Sequence, residues 1–470
     1  MQRYYGWILK RPIYVQYIYN MSGKRRSGLA NHRRAFAYEC SPVVPTPTYT
    51  VTYNGNTNTS GNVPTDGSSP YESGSTVTVF GNSGSPVLAK SGFTFSGWNT
   101  AANGSGTSYS QGNTFAINAN TVLYAQWTPV PPVPLPFAPT ALSSVGGNRE
   151  AYILFTQSGT ITNYEYSTDN GATFLAFNPP QIYSPVNIST LSSDGTTPLT
   201  NGTTYTVKLK AVNSGGSSVE SVSVDVIPTV TSLVSDSNRL IYLDANNSSS
   251  YSGSGSTWTN LVSGGAYSAT LNGSPTFNTT VPGNKYFECN TGSVTGQFAQ
   301  ITQAPAINPV VNQPFTIQLW VRVKVGSNGG SLVSKIFGGS SYDGYNFTYF
   351  STGSLRIHLN GGSVDTNNSS FYPNFLSNAG VLSNGWALYT ANVQFGNGGG
   401  RQNKIFVNGR QVISATSNES SVPSPTENLK ILSGFGGDAE CDIGQFYYYN
   451  RELTVTEVIQ NFDATKHAYI

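Results

Sequence analysis

The sequence predicts an all-β protein built from several domains, and three observations predict it. Strict apolar–polar alternation recurs in short runs, such as "YTVTYNGN" from Tyr49 and "STVTVFGN" from Ser75. Alternation with period 2, closed by Asn-Gly or Gly-Asn, is the pattern of half-buried strands joined by tight turns. The 470 residues include 50 Gly, 29 Tyr and 12% aromatics but only 10% charged residues, where about 25% is usual. Aromatic and β-branched side chains suit a pleated surface, and this aromatic content is too high for a chain that stays disordered. Proline clusters then cut the chain at "CSPVVPTPT" (Cys40–Thr48) and "TPVPPVPLPFAPT" (Thr128–Thr140), with a softer junction near Pro228. The expected parts are an N-terminal arm at 1–48, a small module at 49–128, a stiff extended linker at 129–138, a domain at 139–228 and a large domain at 229–470.

The arm is basic and is expected to be poorly ordered. Arg3, Lys10, Arg11, Lys24, Arg25, Arg26, Arg33 and Arg34 stand against one acid, Glu39, although the whole chain carries only +2. Such a segment can dock on an acidic surface, and a virion or surface scaffold is the expected partner. Lys10, Arg11 and Pro12 interrupt the apolar run an export signal would need. No apolar stretch reaches the ~18 residues of a membrane-spanning helix.

In the small module, "GFTFSGWNT" (Gly92–Thr100) and "LYAQW" (Leu123–Trp127) close a run of strand-and-turn phrases. It resembles the Listeria–Bacteroides repeat, a small β-grasp-like module of bacterial surface proteins. The resemblance implies a spacer or adhesion module. The many glycines are read as turn residues, because no GxxxxGK[ST] phosphate cradle occurs. Phe93 and Phe95 alternate on a strand, and Trp98 and Trp127 are expected in the core.

In the middle domain, "NGTTYTVKLKAVN" (Asn201–Asn213) resembles the fibronectin type III family. This implies a β-sandwich spacer whose Tyr205 hydroxyl bonds nearby backbone while its ring enters the core.

The large domain carries "FTIQLWVRV" (Phe315–Val323), "IFVNGRQV" (Ile405–Val412) and "IGQFYYYNRELTVTEVIQNF" (Ile443–Phe462). These phrases resemble the laminin G-like, concanavalin A-like jelly roll. One short terminal helix follows its strands. Thr454 and Glu457 form a capping box there, and Val458, Ile459 and Phe462 recur at the spacing that docks a helix on a sheet. Trp258, Trp320 and Trp386 are expected in the core. In the family the early strand "YFEC" and the late strand "CDIGQF" lie close. The resemblance thus brings Cys289 near Cys441, as a candidate disulfide or as two small core hydrophobes.

The chemistry on offer is sparse. HExxH and GxSxG are absent, and His32, His358 and His467 lie far apart. In "GDAECDIG" the carboxylates Asp438, Glu440 and Asp442 alternate and would share one strand face. They are candidates for calcium ligation, for a glycosidase pair or for a solvated strand edge. Glycan binding calls for exposed rings and hydroxyl-binding polar groups. Tyr342, Asp343, Tyr345 and Asn346 in "GGSSYDGYNFTYF" supply them, as do Tyr372 in "SSFYPNF" and an outward Tyr448. The expected function is that of a non-enzymatic modular protein, extracellular or on a virion surface. Its C-terminal domain would bind a glycan or a cell-surface protein, in a virion fibre or tail component. A secreted bacterial adhesin and a jelly-roll polysaccharide-degrading enzyme are the alternatives. No cofactor is required, Ca2+ being the one candidate, and homo-oligomerisation stays open.

Overall fold

The computed structural model describes residues 45–470 apart from 158, 236, 263, 265, 282, 293, 311, 325–328, 337–343, 351–353, 360–361, 366–384, 396–401, 417–425 and 435–436. The basic arm therefore lies outside the described residues, save its last few. Among the described residues the chain is all-β with one α-helix, of eleven residues, Val455–Thr465. It divides into two compact units, Met1–Pro131 and Pro132–Ile470.

The first unit holds a four-stranded sheet in the order Val51–Asn54, Thr121–Pro129, Phe93–Asn99, Ser108–Tyr109. Its outer strand Val51–Asn54 runs parallel to Thr121–Pro129. Alternation works as the sequence predicts: Val51 and Tyr53 are buried, Thr52 and Asn54 exposed. Trp98 sits in the core at 1% exposure, and its indole N–H donates to Phe80 O at 2.8 Å. Phe95 and Trp98 are three residues apart, which on a regular strand would place them on opposite faces. A bulge between Phe95 and Gly97 resets the phase. Gly97 takes φ +136° there, a conformation only glycine adopts cheaply. The two rings consequently meet edge to face at 5.1 Å.

The second unit begins with a two-sheet β-sandwich. Thr140–Gly147, Glu150–Thr156 and Val186–Ile188 form one sheet, and strands around Tyr205–Asn213 form the other. Ile153, Tyr164, Val207 and Leu209 lie in its core. Tyr205 Oη accepts a hydrogen bond from the Thr200 N–H at 2.9 Å, and its ring packs on that core.

The C-terminal part stacks two eight-stranded antiparallel sheets. The front sheet runs Thr257–Trp258, Ala269–Asn272, Phe298–Ile301, Leu429–Ile431, Gly329–Ile336, Gly344–Phe350, Leu355–Leu359, Gly362–Asp365. The back sheet is centred on Cys441–Tyr449, between Phe315–Val323 on one side and Arg239–Asp244 with Asn284–Cys289 on the other. Residues of both inner faces build one large core that includes Trp258, Phe287, Leu319, Tyr345 and Phe446. The outer face of the back sheet is covered by the helix. Its capping box is present, Thr454 and Glu457 each bonding the other's backbone N–H. Val458, Ile459 and Phe462 are buried beneath it, as is Trp320, whose indole N–H donates to Thr465 Oγ1 at 2.7 Å.

The sandwich and the C-terminal sheets share an interface, which sequence spacing did not reveal. Val145 and Tyr152 join Trp320, Trp386, Ile459 and Phe462 in one apolar cluster. A polar hub closes it. Asp463 accepts from the Asn148 N–H at 2.8 Å and from Tyr152 Oη at 3.0 Å, and also from Thr231 Oγ1. Lys466 Nζ lies 2.8 Å from Asp463 and 2.5 Å from Glu150.

Candidate functional site

The strand Gly344–Phe350 explains the front sheet. Tyr345, Phe347 and Tyr349 point into the core at 1% exposure each, so Asn346 and Thr348 face the other way. Antiparallel register carries this polar face across neighbouring strands. Gln300 stands opposite Lys430, Lys430 opposite Ser334, Ser334 opposite Asn346, and Asn346 opposite His358. Five polar side chains thus line up over five strands, a row of roughly 19 Å at ~4.8 Å per strand. Thr348 and Arg356 form a second rank beside it.

Asn346 is 2% exposed, and its amide donates to Thr348 Oγ1 at 2.7 Å. Its carbonyl oxygen Oδ1 has no hydrogen-bond partner. Burial, with the Arg356 charge beside it, pushes the His358 imidazole below its ordinary pKa, so the ring is neutral at pH 7. Lys430 lies over the Phe298 ring at 5.6 Å and Arg356 over Phe350 at 4.7 Å. The backbone at Gly434 caps Ser334: a Cβ there would stand 2.2 Å from the Ser334 Cβ. Ser334 and Asn346, in the middle of the row, are 4% and 2% exposed, while Gln300, Lys430 and His358 at its ends are half-buried.

The residues expected from sequence distribute unevenly around this row. Asn346 belongs to it. Tyr345 does not present the exposed ring expected of it, because alternation turns it inward against Phe315 at 4.9 Å. Tyr448 likewise faces the core, at 1% exposure. Tyr342, Asp343 and Tyr372 lie outside the described residues.

The acidic run does not present a shared open face. Asp438 accepts from the Gly296 N–H at 2.7 Å and Glu440 from the Gly292 N–H at 3.0 Å. Asp442 has a fully buried side chain held by Arg322 at 2.5 Å and Lys324 at 2.9 Å. Burial raises the Asp442 carboxyl above its ordinary range in spite of these cations. Among the described residues no three His, Cys, Asp or Glu side chains are grouped to hold a metal ion. The shared strand face expected of Asp438, Glu440 and Asp442 is not formed: Asp442 is buried in an ion pair, and Asp438 and Glu440 bond the backbone at Gly296 and Gly292.

Cys289 and Cys441 are direct cross-strand partners, and both are buried free thiols. Burial pushes both thiols up, which disfavours the reactive thiolate. In a Cys40→Ser variant, an aromatic disulfide reagent is expected to label no thiol in native buffer and two per chain after unfolding. A bridge detected by mass spectrometry under non-reducing conditions would contradict this.

Sequence reasoning missed Gln300, Ser334 and Lys430 and noted His358 only as lying far from the other histidines. Each occupies a polar slot of an alternating strand, but the order of strands that aligns them comes from long-range pairing.

The family models agree with this architecture. Residues 295–459 match the family model of the concanavalin A-like lectin/glucanases superfamily, and residues 49–126 match that of the Listeria–Bacteroides repeat domain. Two Evansella cellulosilytica proteins are 39% and 41% identical over 80 residues, 17% of this chain; their names class them as membrane proteins, one of them Gly-rich. The chain spans only 11% and 9% of their lengths. Among solved structures, the binding domain of Paraclostridial mosquitocidal protein 1 aligns at 18% identity and a TM-score of 0.36, over 48% of this chain and 52% of that one. The binding domain of botulinum neurotoxin DC, in complex with rat synaptotagmin II, aligns at 15% and 0.35 over the same shares. The chain therefore carries a Listeria–Bacteroides repeat domain at residues 49–126 and a concanavalin A-like domain of the lectin/glucanase superfamily at residues 295–459.

Proposed function

We propose that the protein is a non-enzymatic attachment protein whose concanavalin A-like domain binds a glycan, or the glycan-bearing face of a cell-surface protein, through the polar row of the front sheet. The observation that carries this reading is Asn346 Oδ1, buried and without a partner in the middle of the row. An unmatched buried acceptor costs about 1–3 kcal/mol, and a ligand hydroxyl would supply the missing donor. Asp442, locked between Arg322 and Lys324, speaks against the polysaccharide-degrading alternative. The repeat module and the sandwich are read as the parts that hold the binding domain out from its scaffold, outside the cell or on a virion. The basic arm is read as the docking segment of a fibre or tail component, with a secreted bacterial adhesin as the alternative setting.

A glycan array probed with the full chain tests the binding. Wild type is expected to retain at least one glycan class, and Asn346→Ala or His358→Ala to weaken it ten- to a hundredfold with an unchanged melting temperature. Retention of no glycan and no receptor-bearing cell would refute the proposal. Release of reducing sugar from a bound polysaccharide would revive the enzyme reading. Mass spectrometry of purified particles separates virion from adhesin.

A further inference from the structure

A cavity of about 140 Å3 lies at one end of the two stacked sheets. It sits where the strand Phe315–Val323 begins and the strand Cys441–Tyr449 ends, beside the 3-10 turn Pro305–Ile307. Thr316 stands opposite Tyr449 and Ile317 opposite Tyr448. Antiparallel pairing therefore brings Asn450 to the start of the first strand, next to Phe315. The segment after the turn supplies Asn308. The front-sheet row shares none of these residues.

Two amide oxygens of this cavity have no partner. Asn308 Oδ1 and Asn450 Oδ1 are both buried, and neither accepts a hydrogen bond from the protein. The backbone of the same two residues is satisfied: the Asn308 N–H donates to Pro305 O at 3.2 Å, and the Asn450 N–H to Asn238 O at 2.9 Å. The large majority of buried polar side-chain atoms are paired, so two unmatched acceptors on one small cavity call for a donor. The other walls are apolar and stiff. Pro305, Pro309 and Pro314 line the cavity with rings that fix the backbone. Phe315 lines it too, stacked on Tyr448 at 5.4 Å. Among the described residues no Asp, Glu, Lys, Arg or His borders the cavity.

We infer that this cavity is a binding site for a primary carboxamide, the end group of an Asn or Gln side chain on a partner protein. A carbonyl oxygen only accepts, so the ligand brings the donors. A carboxylate or phosphate brings acceptors and leaves both oxygens unmatched. An ammonium brings donors, but its charge leaves water for a site with no acid, which burial penalises. A carboxamide is neutral and carries two N–H donors on one planar nitrogen, one for each oxygen. Its own carbonyl can accept from the amide of Gln313, an exposed residue that also lines the cavity. The volume lies below the ~300–1,000 Å3 of pockets that hold a whole small molecule, so the cavity takes an end group while its stem rests on the prolines. Walls fixed by proline need little ordering when the group enters.

The test uses the full chain with acetamide as the probe, read by saturation-transfer NMR. Acetate, which has the same shape and no donor, ethylene glycol and methylammonium are the controls. Acetamide is expected to bind at least tenfold more tightly than each control, and the tripeptide Gly-Gln-Gly to displace it where Gly-Glu-Gly does not. Asn308→Ala and Asn450→Ala are each expected to weaken acetamide tenfold or more. Neither change removes the partner of a buried donor, so the melting temperature is expected to hold, and the two variants report the site independently. Asn346→Ala is expected to leave acetamide binding unchanged. No acetamide binding would mean a cavity filled by water alone and overturns the inference. Binding indifferent to both asparagine variants overturns it, as does loss of binding in Asn346→Ala. Ethylene glycol binding as tightly as acetamide would overturn the carboxamide assignment in favour of a sugar diol, and acetate or methylammonium doing so would overturn the neutral-donor argument.

Discussion

Asp463→Ala is expected to destabilise the unit Pro132–Ile470 by about 3–5 kcal/mol, the cost of removing one member of a buried ion pair. The Asp463 side chain is 1% exposed and takes Lys466, Tyr152, Thr231 and the Asn148 N–H at once. Deleting it strands the Asn148 N–H and Thr231 hydroxyl in a closed interface, while Lys466 keeps Glu150 and Tyr152 Oη. The same residue gives a pH signature. Burial alone would raise its carboxyl, but the hydrogen bonds from Lys466, Thr231 and Asn148 outweigh that and hold it below the ordinary value. A carboxyl depressed on folding contributes stability that is fully present above its unfolded pKa, about 3.9. That contribution is lost as pH falls through the folded value. Thermal unfolding of wild type and variant from pH 7 downward should therefore show a gap that narrows below about pH 4. A loss under 1 kcal/mol at pH 7 would mean that the apolar cluster, not the hub, joins the sandwich to the sheets.

Trp98→Ala is expected to unfold the repeat module. Large-to-small replacement of a buried tryptophan costs about 3–5 kcal/mol. A module of this size holds only ~0.05–0.15 kcal/mol per residue, so the loss removes a third or more of what it has. Trp98 touches Tyr53 at 4.7 Å and Phe95 at 5.1 Å, and its hydrogen bond to Phe80 O leaves an unmatched carbonyl when removed. Proteolysis is expected to cut within residues 49–126 of the variant, while binding by the C-terminal domain persists. Protection of that segment equal to wild type would show that the small core tolerates the cavity.

Much of the fold was legible along the chain. The alternation at Val51 and Tyr53, the capping box at Thr454 and Glu457, and the docking face of Val458, Ile459 and Phe462 all depend on neighbours within a few residues. The burial of Trp98, Trp258, Trp320 and Trp386 follows from size and hydrophobicity. Tyr345 was misjudged because "YDGYNFTYF" alternates tyrosine and phenylalanine with polar residues, and the pattern does not state which set faces water. The setting of Asp438, Glu440 and Asp442 was not legible because their partners are distant: Arg322 and the backbone at Gly292 and Gly296 come from strands and turns more than a hundred residues earlier.

The sequence by itself determined the all-β class, the local strands, the helix and its cap, which rest on period and propensity, and through its phrases the repeat module and the concanavalin A-like domain. Only the tertiary structure decided which polar residues share a surface. The row from Gln300 to His358 exists because five strands from separate stretches of chain pair in one order and register. The Asp463 hub exists because the sandwich packs where the C-terminal helix turns. Each is a product of long-range pairing, which no local pattern encodes, and each is where the proposed binding and its support reside.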